Sequence, residues 1–194
     1  MTSWQIPFVA VGKFPDDDVV QVDHDNVGAC KELVTVLFAK GIQNIAYLGS
    51  NMDQMVNRCR YQGYEEAYRK GKRKLNQDLV YTDLSSRAMV EKAVEELKNS
   101  GVECILCQDD YICDEVVRKL ARMGVRIPDQ MKVASCHYSR ILENYPITIT
   151  SLKFNITELG RRSCQVLLDM IHGKTVPDKT LLDYEIILKE STKG

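Results

Sequence analysis

No stretch of this 194-residue chain approaches the roughly 20 apolar residues of a membrane-spanning helix. Its start, Met1-Thr2-Ser3-Trp4-Gln5, lacks the positive n-region and apolar h-region of a secretory signal, and reads as a cut rather than a natural beginning. A surplus of positive charge is missing too. The formal net charge is −1, whereas a nucleic-acid-binding face is normally basic. There is no glycine-rich phosphate loop, since Gly49-Ser50-Asn51 holds a single glycine, and there is no nucleophile elbow. Internal repeats and low-complexity segments are absent. The expectation is a cytoplasmic globular protein that is not an enzyme, needs no cofactor and touches no membrane.

What is present fits that class. Apolar residues make up 44% and charged residues 27%, ordinary values for a globular chain. The length suffices for one good-sized core, or for one domain with fragments of another. Seven cysteines, an odd number, are scattered along expected strands and helices, as suits a reducing compartment. Cys104-Ile105-Leu106-Cys107 spells CxxC, but it lies in an apolar strand, where an odd separation sends the two thiols to opposite faces. Zinc or redox pairs need a loop or a helix start. The basic run Lys70, Lys72, Arg73, Lys74 reads as a solvated turn, because no aromatic interleaves with it.

Strand and helix patterns alternate. Val19–Val22 is a short strand leading to Asp25-Asn26, which suit a helix N-cap. Val27, Cys30, Leu33, Val34, Leu37 and Phe38 give a helix stopped by Gly41. Strand Ile45–Leu48, helix Asn57–Lys70, strand Leu79–Tyr81 and a helix capped by Ser85 or Ser86 follow. Then come strand Val102–Cys107, helix Asp110–Met123 and strand Met131–Cys136. Five strands with helical crossovers predict an α/β fold, a doubly wound parallel sheet with helices on both faces. After Pro146, the pattern predicts a strand over Ile147–Leu152, a helix over Ile156–His172 begun by an Asn155/Glu158 capping box, and a last strand over Leu181–Leu188.

In open α/β sheets, ligands collect outside the carboxyl ends of the strands. Three polar segments stand at such ends: Leu48-Gly49-Ser50-Asn51 leading to Arg60, Cys107-Gln108-Asp109-Asp110, and Ser135-Cys136-His137-Tyr138. They mark one rim as the candidate site.

Several motifs point to a family. Gly41-Ile42-Gln43-Asn44-Ile45-Ala46-Tyr47-Leu48-Gly49 and Arg60-Tyr61-Gln62-Gly63-Tyr64 resemble the "GHRRIAFIG…R-x-x-GY" signature of lactose/galactose repressor (LacI/GalR) family regulators. Gly124-Val125-Arg126-Ile127-Pro128-Asp129 is similar to their "GLRVPED", Leu159-Gly160-Arg161-Arg162 to their "LGRRA", and Ile6-Pro7-Phe8-Val9 to their "IPVV" strand. The resemblance implies a type I periplasmic-binding-protein-like lobe. Residues 1–13 would be a remnant of the N-terminal effector lobe, and 14–149 the C-terminal effector lobe. Residues 150–175 would be a strand and helix crossing to the other lobe, and 176–194 the return strand. It also implies that helix-turn-helix, hinge helix and most of the N-terminal lobe lie upstream, and that the 155–172 helix is left with an apolar side to cover.

The site residues follow from position and resemblance together. Arg60 offers a planar fork to paired hydroxyls or a carboxylate, and the matching family arginine holds the effector; the alternative is a surface salt bridge with Glu65. Asp109, where many relatives have asparagine, is assigned to hydroxyl recognition, and Asp110 to capping the next helix. His137 stands where the family's "GFD" aspartate contacts effector, and reads either as a ligand group or as an ordinary packed histidine. Phe154, at the third crossover, can stack on a ring. Asn51 and Asp53 precede Arg60 in its loop, and Gly12 replaces a common aspartate.

The leading expectation is therefore an effector-sensing domain of a transcription regulator. It would bind a small polar effector such as a sugar or sugar derivative, form a homodimer, and reach DNA only through an N-terminal domain absent from this chain. The alternative is a periplasmic-type solute-binding protein. A third possibility, magnesium chemistry on Asp109-Asp110, lacks the accompanying phosphate loop.

Overall fold

Aliphatic runs bounded by glycine and short polar segments become strands, and the stretches of helical period between them become helices. In the computed structural model, which describes residues 6–16 and 18–193, the order is β1 (Ala10–Val11), β2 (Gln21–His24), α1 (Asn26–Ala39), β3 (Ile45–Leu48), α2 (Met55–Lys70), β4 (Val80–Tyr81), α3 (Arg87–Leu97), β5 (Cys104–Cys107), α4 (Asp110–Arg122), β6 (Lys132–Ser135), β7 (Thr150–Phe154), α5 (Ile156–Ile171), β8 (Lys179–Leu182) and β9 (Tyr184–Ile187). The opening Met1–Gln5 segment lies outside the described residues. Two compact units result: Asn26–Lys153 with Glu185–Gly194, and Met1–Asp25 with Phe154–Tyr184.

The larger unit holds a six-stranded sheet in the order β4-β3-β5-β6-β7-β9. From β4 to β7 the neighbours are parallel, and the register sets Leu48 beside Cys107 and Cys107 beside Ser135. Three strands thus end level. One face, carrying Ala46, Leu48, Ile105, Cys107 and Val133, packs into a core with α3 and α4. On the other face the Tyr64 hydroxyl donates to the Ile45 carbonyl at 2.7 Å, and the Tyr47 and Tyr64 rings lie 5.2 Å apart, seating α2 on β3. The expected helices on both faces are present. Cys107 joins the α3/α4 core while Cys104 does not, as odd spacing along a strand requires. Of the basic run, Arg73 stacks over the Phe38 ring at 4.3 Å.

The smaller unit has a three-stranded parallel sheet, β1-β2-β8, and α5. Asn155 caps α5 by accepting from the Glu158 amide at 2.9 Å, but the Glu158 carboxylate turns to Arg161 instead of closing a capping box. Ser163 and Val166 are buried, whereas Ile156, Leu168 and Ile171 are exposed. Among the described residues no helix is long and apolar enough to cross a membrane.

Three details differ from the sequence expectation. The last strand, expected over Leu181–Leu188, is two strands broken at Asp183, and they belong to different sheets. No glycine or proline marks that break, because alternation continues through it. The strand expected over Val19–Val22 lies two residues later, as β2, and residues 14–25 group with the smaller unit, where β2 pairs with β1 and β8. Residues 150–153 and 185 onward group with the larger unit, and 176–184 with the smaller.

Candidate functional site

The level exits of β3, β5 and β6 are stitched together by polar groups. Gln108, the first residue after β5, is fully buried. Its amide nitrogen donates to the Leu48 carbonyl at 2.8 Å. Its side-chain oxygen accepts from the Ser50 amide at 3.2 Å and from the Tyr47 hydroxyl at 3.5 Å, and its side-chain nitrogen donates to Ser50 Oγ at 3.2 Å. Glycine at 49 leaves room for this packing, since a Cβ there would fall 2.5 Å from Gln108 Oε1 and 2.8 Å from a ring carbon of Tyr47.

Arg60 lies in the second turn of α2 and is only 8% exposed. Its Nη1 donates to the Gln108 carbonyl at 2.9 Å and its Nε to Asn26 Oδ1 at 3.4 Å. The helix reaches this position because Gly63, three residues on, lets α2 press against α1. A Cβ there would meet the Val27 carbonyl oxygen at 2.4 Å.

At the next exit the capping role expected of Asp110 falls to Asp109. Asp109 is the N-cap of α4, its Oδ1 accepting from the Ile112 amide at 2.9 Å. Asp110, expected to cap, is buried and holds His137, with Oδ1 3.1 Å from Nδ1. The reason is geometric: Asp109 has extended backbone, as a cap must, while Asp110 is already helical. Burial pushes the Asp110 carboxyl up, but hydrogen bonds from Ser139 and His137 outweigh it and hold the carboxyl below its ordinary range. His137 is placed by a turn in which its amide donates to Ser135 Oγ at 3.2 Å and its carbonyl accepts from that hydroxyl at 2.7 Å.

Arg60, Asp109 and His137 thus stand on one rim, joined through Gln108 and Asp110. Asn51 is tied to α2, since its carbonyl accepts from Asn57 Nδ2 at 2.7 Å, and its side chain accepts from the Asp53 amide at 2.7 Å. Asp53 is exposed and lies 3.8 Å from Arg58, a weak surface pair. Phe154 belongs to the smaller unit, where its ring meets His24 with centroids 4.9 Å apart. Burial lowers the His24 pKa, against hydrogen bonding to Asn155 and the charge of Asp23. Sequence reasoning names Gln108 only within a rim segment and Asn26 only as a helix cap, and gives neither a part in placing Arg60. The signal for Gln108 was a polar side chain directly after the apolar run Cys-Ile-Leu-Cys; a neutral amide draws less attention than the acids beside it. Among the described residues no group of three or more His, Cys, Asp or Glu could hold a metal ion.

Residues 34–192 match the family model of the periplasmic binding protein-like domain. The chain belongs to that family. It is 27% identical over 192 residues to the HTH-type transcriptional regulator CelR of Thermobifida fusca, covering 96% of this chain and 56% of the relative. It is 26% identical over 175 residues to the HTH-type transcriptional regulator GntR of Escherichia coli K12, covering 84% and 49%. The structure of a CelR–cellobiose complex superposes with a TM-score of 0.83 at 26% identity, covering 95% of this chain and 58% of that one. The resemblance to LacI/GalR regulators drawn from the motifs is borne out. The chain spans about half the length of the curated relatives it matches.

Proposed function

We propose that this periplasmic binding protein-like chain is the effector-sensing part of a DNA-binding transcription regulator. The observation that carries the reading is the rim of Arg60, Asp109 and His137 at the level carboxyl ends of β3, β5 and β6, where open α/β sheets take ligands. The effector is a small polar molecule of the sugar type. Arg60 and His137 offer donors to its hydroxyls, and Asp109 offers as acceptor the carboxylate oxygen that does not cap α4. Asn51 and Asp53 form an outer set, and Phe154, in the smaller unit, is a separate candidate for ring stacking. The relatives named above are regulators, and the CelR structure was solved with cellobiose. Both favour this reading over a transport protein and over an enzyme. In the whole regulator, effector binding shifts the population of two arrangements by its differential affinity for them. Homodimerisation, a cytoplasmic location and operator contact through a segment outside these residues complete the proposal.

Thermal-shift screening of this chain against cellobiose, other neutral sugars, phosphosugars and nucleobases tests it. A neutral sugar is expected to raise the melting temperature of the natural chain and to leave Arg60→Ala unmoved. A hit that persists in Arg60→Ala moves the site elsewhere, and a screen without any hit removes the effector reading.

A further inference from the structure

We propose that Gln108 is a positioning residue of this site, setting both Arg60 and the Ser50–Asn51 loop without itself touching effector. The inference rests on the reading of the rim as a ligand site and adds a part that no comparison assigns. Three observations carry it. Gln108 is a polar side chain with no exposed surface, and a buried amide is costly unless its donor and acceptor are both engaged. It meets that demand entirely within the β3 exit, through the Ser50 amide, Ser50 Oγ and the Tyr47 hydroxyl. Its own carbonyl is the acceptor for Arg60 Nη1 at 2.9 Å.

The side chain therefore fixes the backbone segment on which the guanidinium rests. Arg60 stands on α2, and its long side chain has several rotatable bonds to order. An acceptor held still by the β3–β5 stitch restricts those rotations before any ligand arrives, which is preorganisation. An apolar side chain of similar size would fill the same space and leave the Ser50 amide and hydroxyl without this partner. The fold would survive while the rim loosened.

Gln108→Met in the full 194-residue chain tests this by amide and arginine side-chain hydrogen exchange, followed by NMR. In the variant the Ser50 amide and the Arg60 Nη1 hydrogens, which donate to the Gln108 carbonyl, are expected to exchange at least about tenfold faster. The Tyr47 and Leu106 amides inside the sheet should keep their rates. Gln108→Glu retains the acceptor oxygen for the Ser50 amide and should restore its protection. Unchanged exchange at both Ser50 and Arg60 in Gln108→Met overturns the proposal, and so does equal loosening of the whole sheet. Should Gln108→Met not fold, Ser50→Ala carries the test: it removes one partner of Gln108, and unchanged exchange of the Arg60 Nη1 hydrogens in it refutes the link. Calorimetric titration with cellobiose runs in parallel. Weaker binding in Gln108→Met than in the natural chain supports the functional consequence. If the natural chain ignores every sugar tried, the ligand-site reading fails, while the exchange rates still decide whether Gln108 positions Arg60.

Discussion

Gly63→Ala is the sharpest test of how Arg60 is placed, because two opposing effects fix the sign of the outcome. In an ordinary helix interior, alanine is favoured over glycine by about 1 kcal/mol. At position 63, however, the new Cβ would lie 2.4 Å from the Val27 carbonyl oxygen, 2.8 Å from Cys30 Cβ and 3.0 Å from the Lys31 nitrogen. Two of these three are backbone atoms of α1, which cannot rotate aside. The helices must separate by several tenths of an ångström, and overpacking of this kind costs about 1–3 kcal/mol, the rigid neighbours favouring the upper end. The propensity gain offsets part of this, leaving a net loss of about 2 kcal/mol. For a chain of this length that corresponds to a fall in melting temperature of about 4–8 °C, read by circular dichroism or calorimetry. A rise would mean that α1 and α2 do not approach as described, and the placement of Arg60 three residues away would lose its basis. Gly160→Ala is the control. It sits in α5 with nothing within 4 Å of its would-be Cβ, so the melting temperature should stay or rise slightly.

Other expectations follow from the rim. Asp109→Ala removes the α4 cap and should cost about 1 kcal/mol in a thermal or urea melt, with Asp109→Asn recovering most of it; equal stability of all three would refute the cap. Arg60→Met strips the donors from the Gln108 carbonyl and Asn26 Oδ1, and should lower stability by about 1–3 kcal/mol while abolishing any sugar-induced shift. Asp110 has a carboxyl pKa depressed in the folded state, so its contribution is present above the ordinary carboxylate range and lost as pH falls through the folded value. Melting temperatures of the natural chain and Asp110→Asn should therefore differ near pH 6 and converge as the solution is acidified below pH 4. A gap that widens on acidification would contradict the His137–Asp110 pairing.

Much of this molecule is legible in its residues, and the exceptions have physical causes. Helix periodicity located α1 to α5 because burial on one face is a repeating signal, and the strand exits were marked by polar residues after apolar runs. That Asp109 and not Asp110 is the cap was not legible, since either acid satisfies the chemistry of a cap and only the backbone angle at 109 decides between them. The part Gln108 plays in placing Arg60 was not legible because it comes from Ser50 and Arg60, residues 58 and 48 positions away that only the folded sheet brings near. The division of Leu181–Leu188 into β8 and β9 escaped for a related reason. Sheet membership is a property of the partner strands, and β8 finds β2 while β9 finds β7. Phe154 shows the same limit at a ring: its folded neighbour, His24, lies far away in sequence and could not be read from position.

The most direct measurement is a crystal structure of this chain grown with whichever sugar raises its melting temperature. The ligand is expected at the ends of β3, β5 and β6, with hydroxyls within hydrogen-bonding reach of Arg60 and His137. Density for the sugar at the opposite end of that sheet, or on a surface that touches neither residue, would contradict the assignment of the rim.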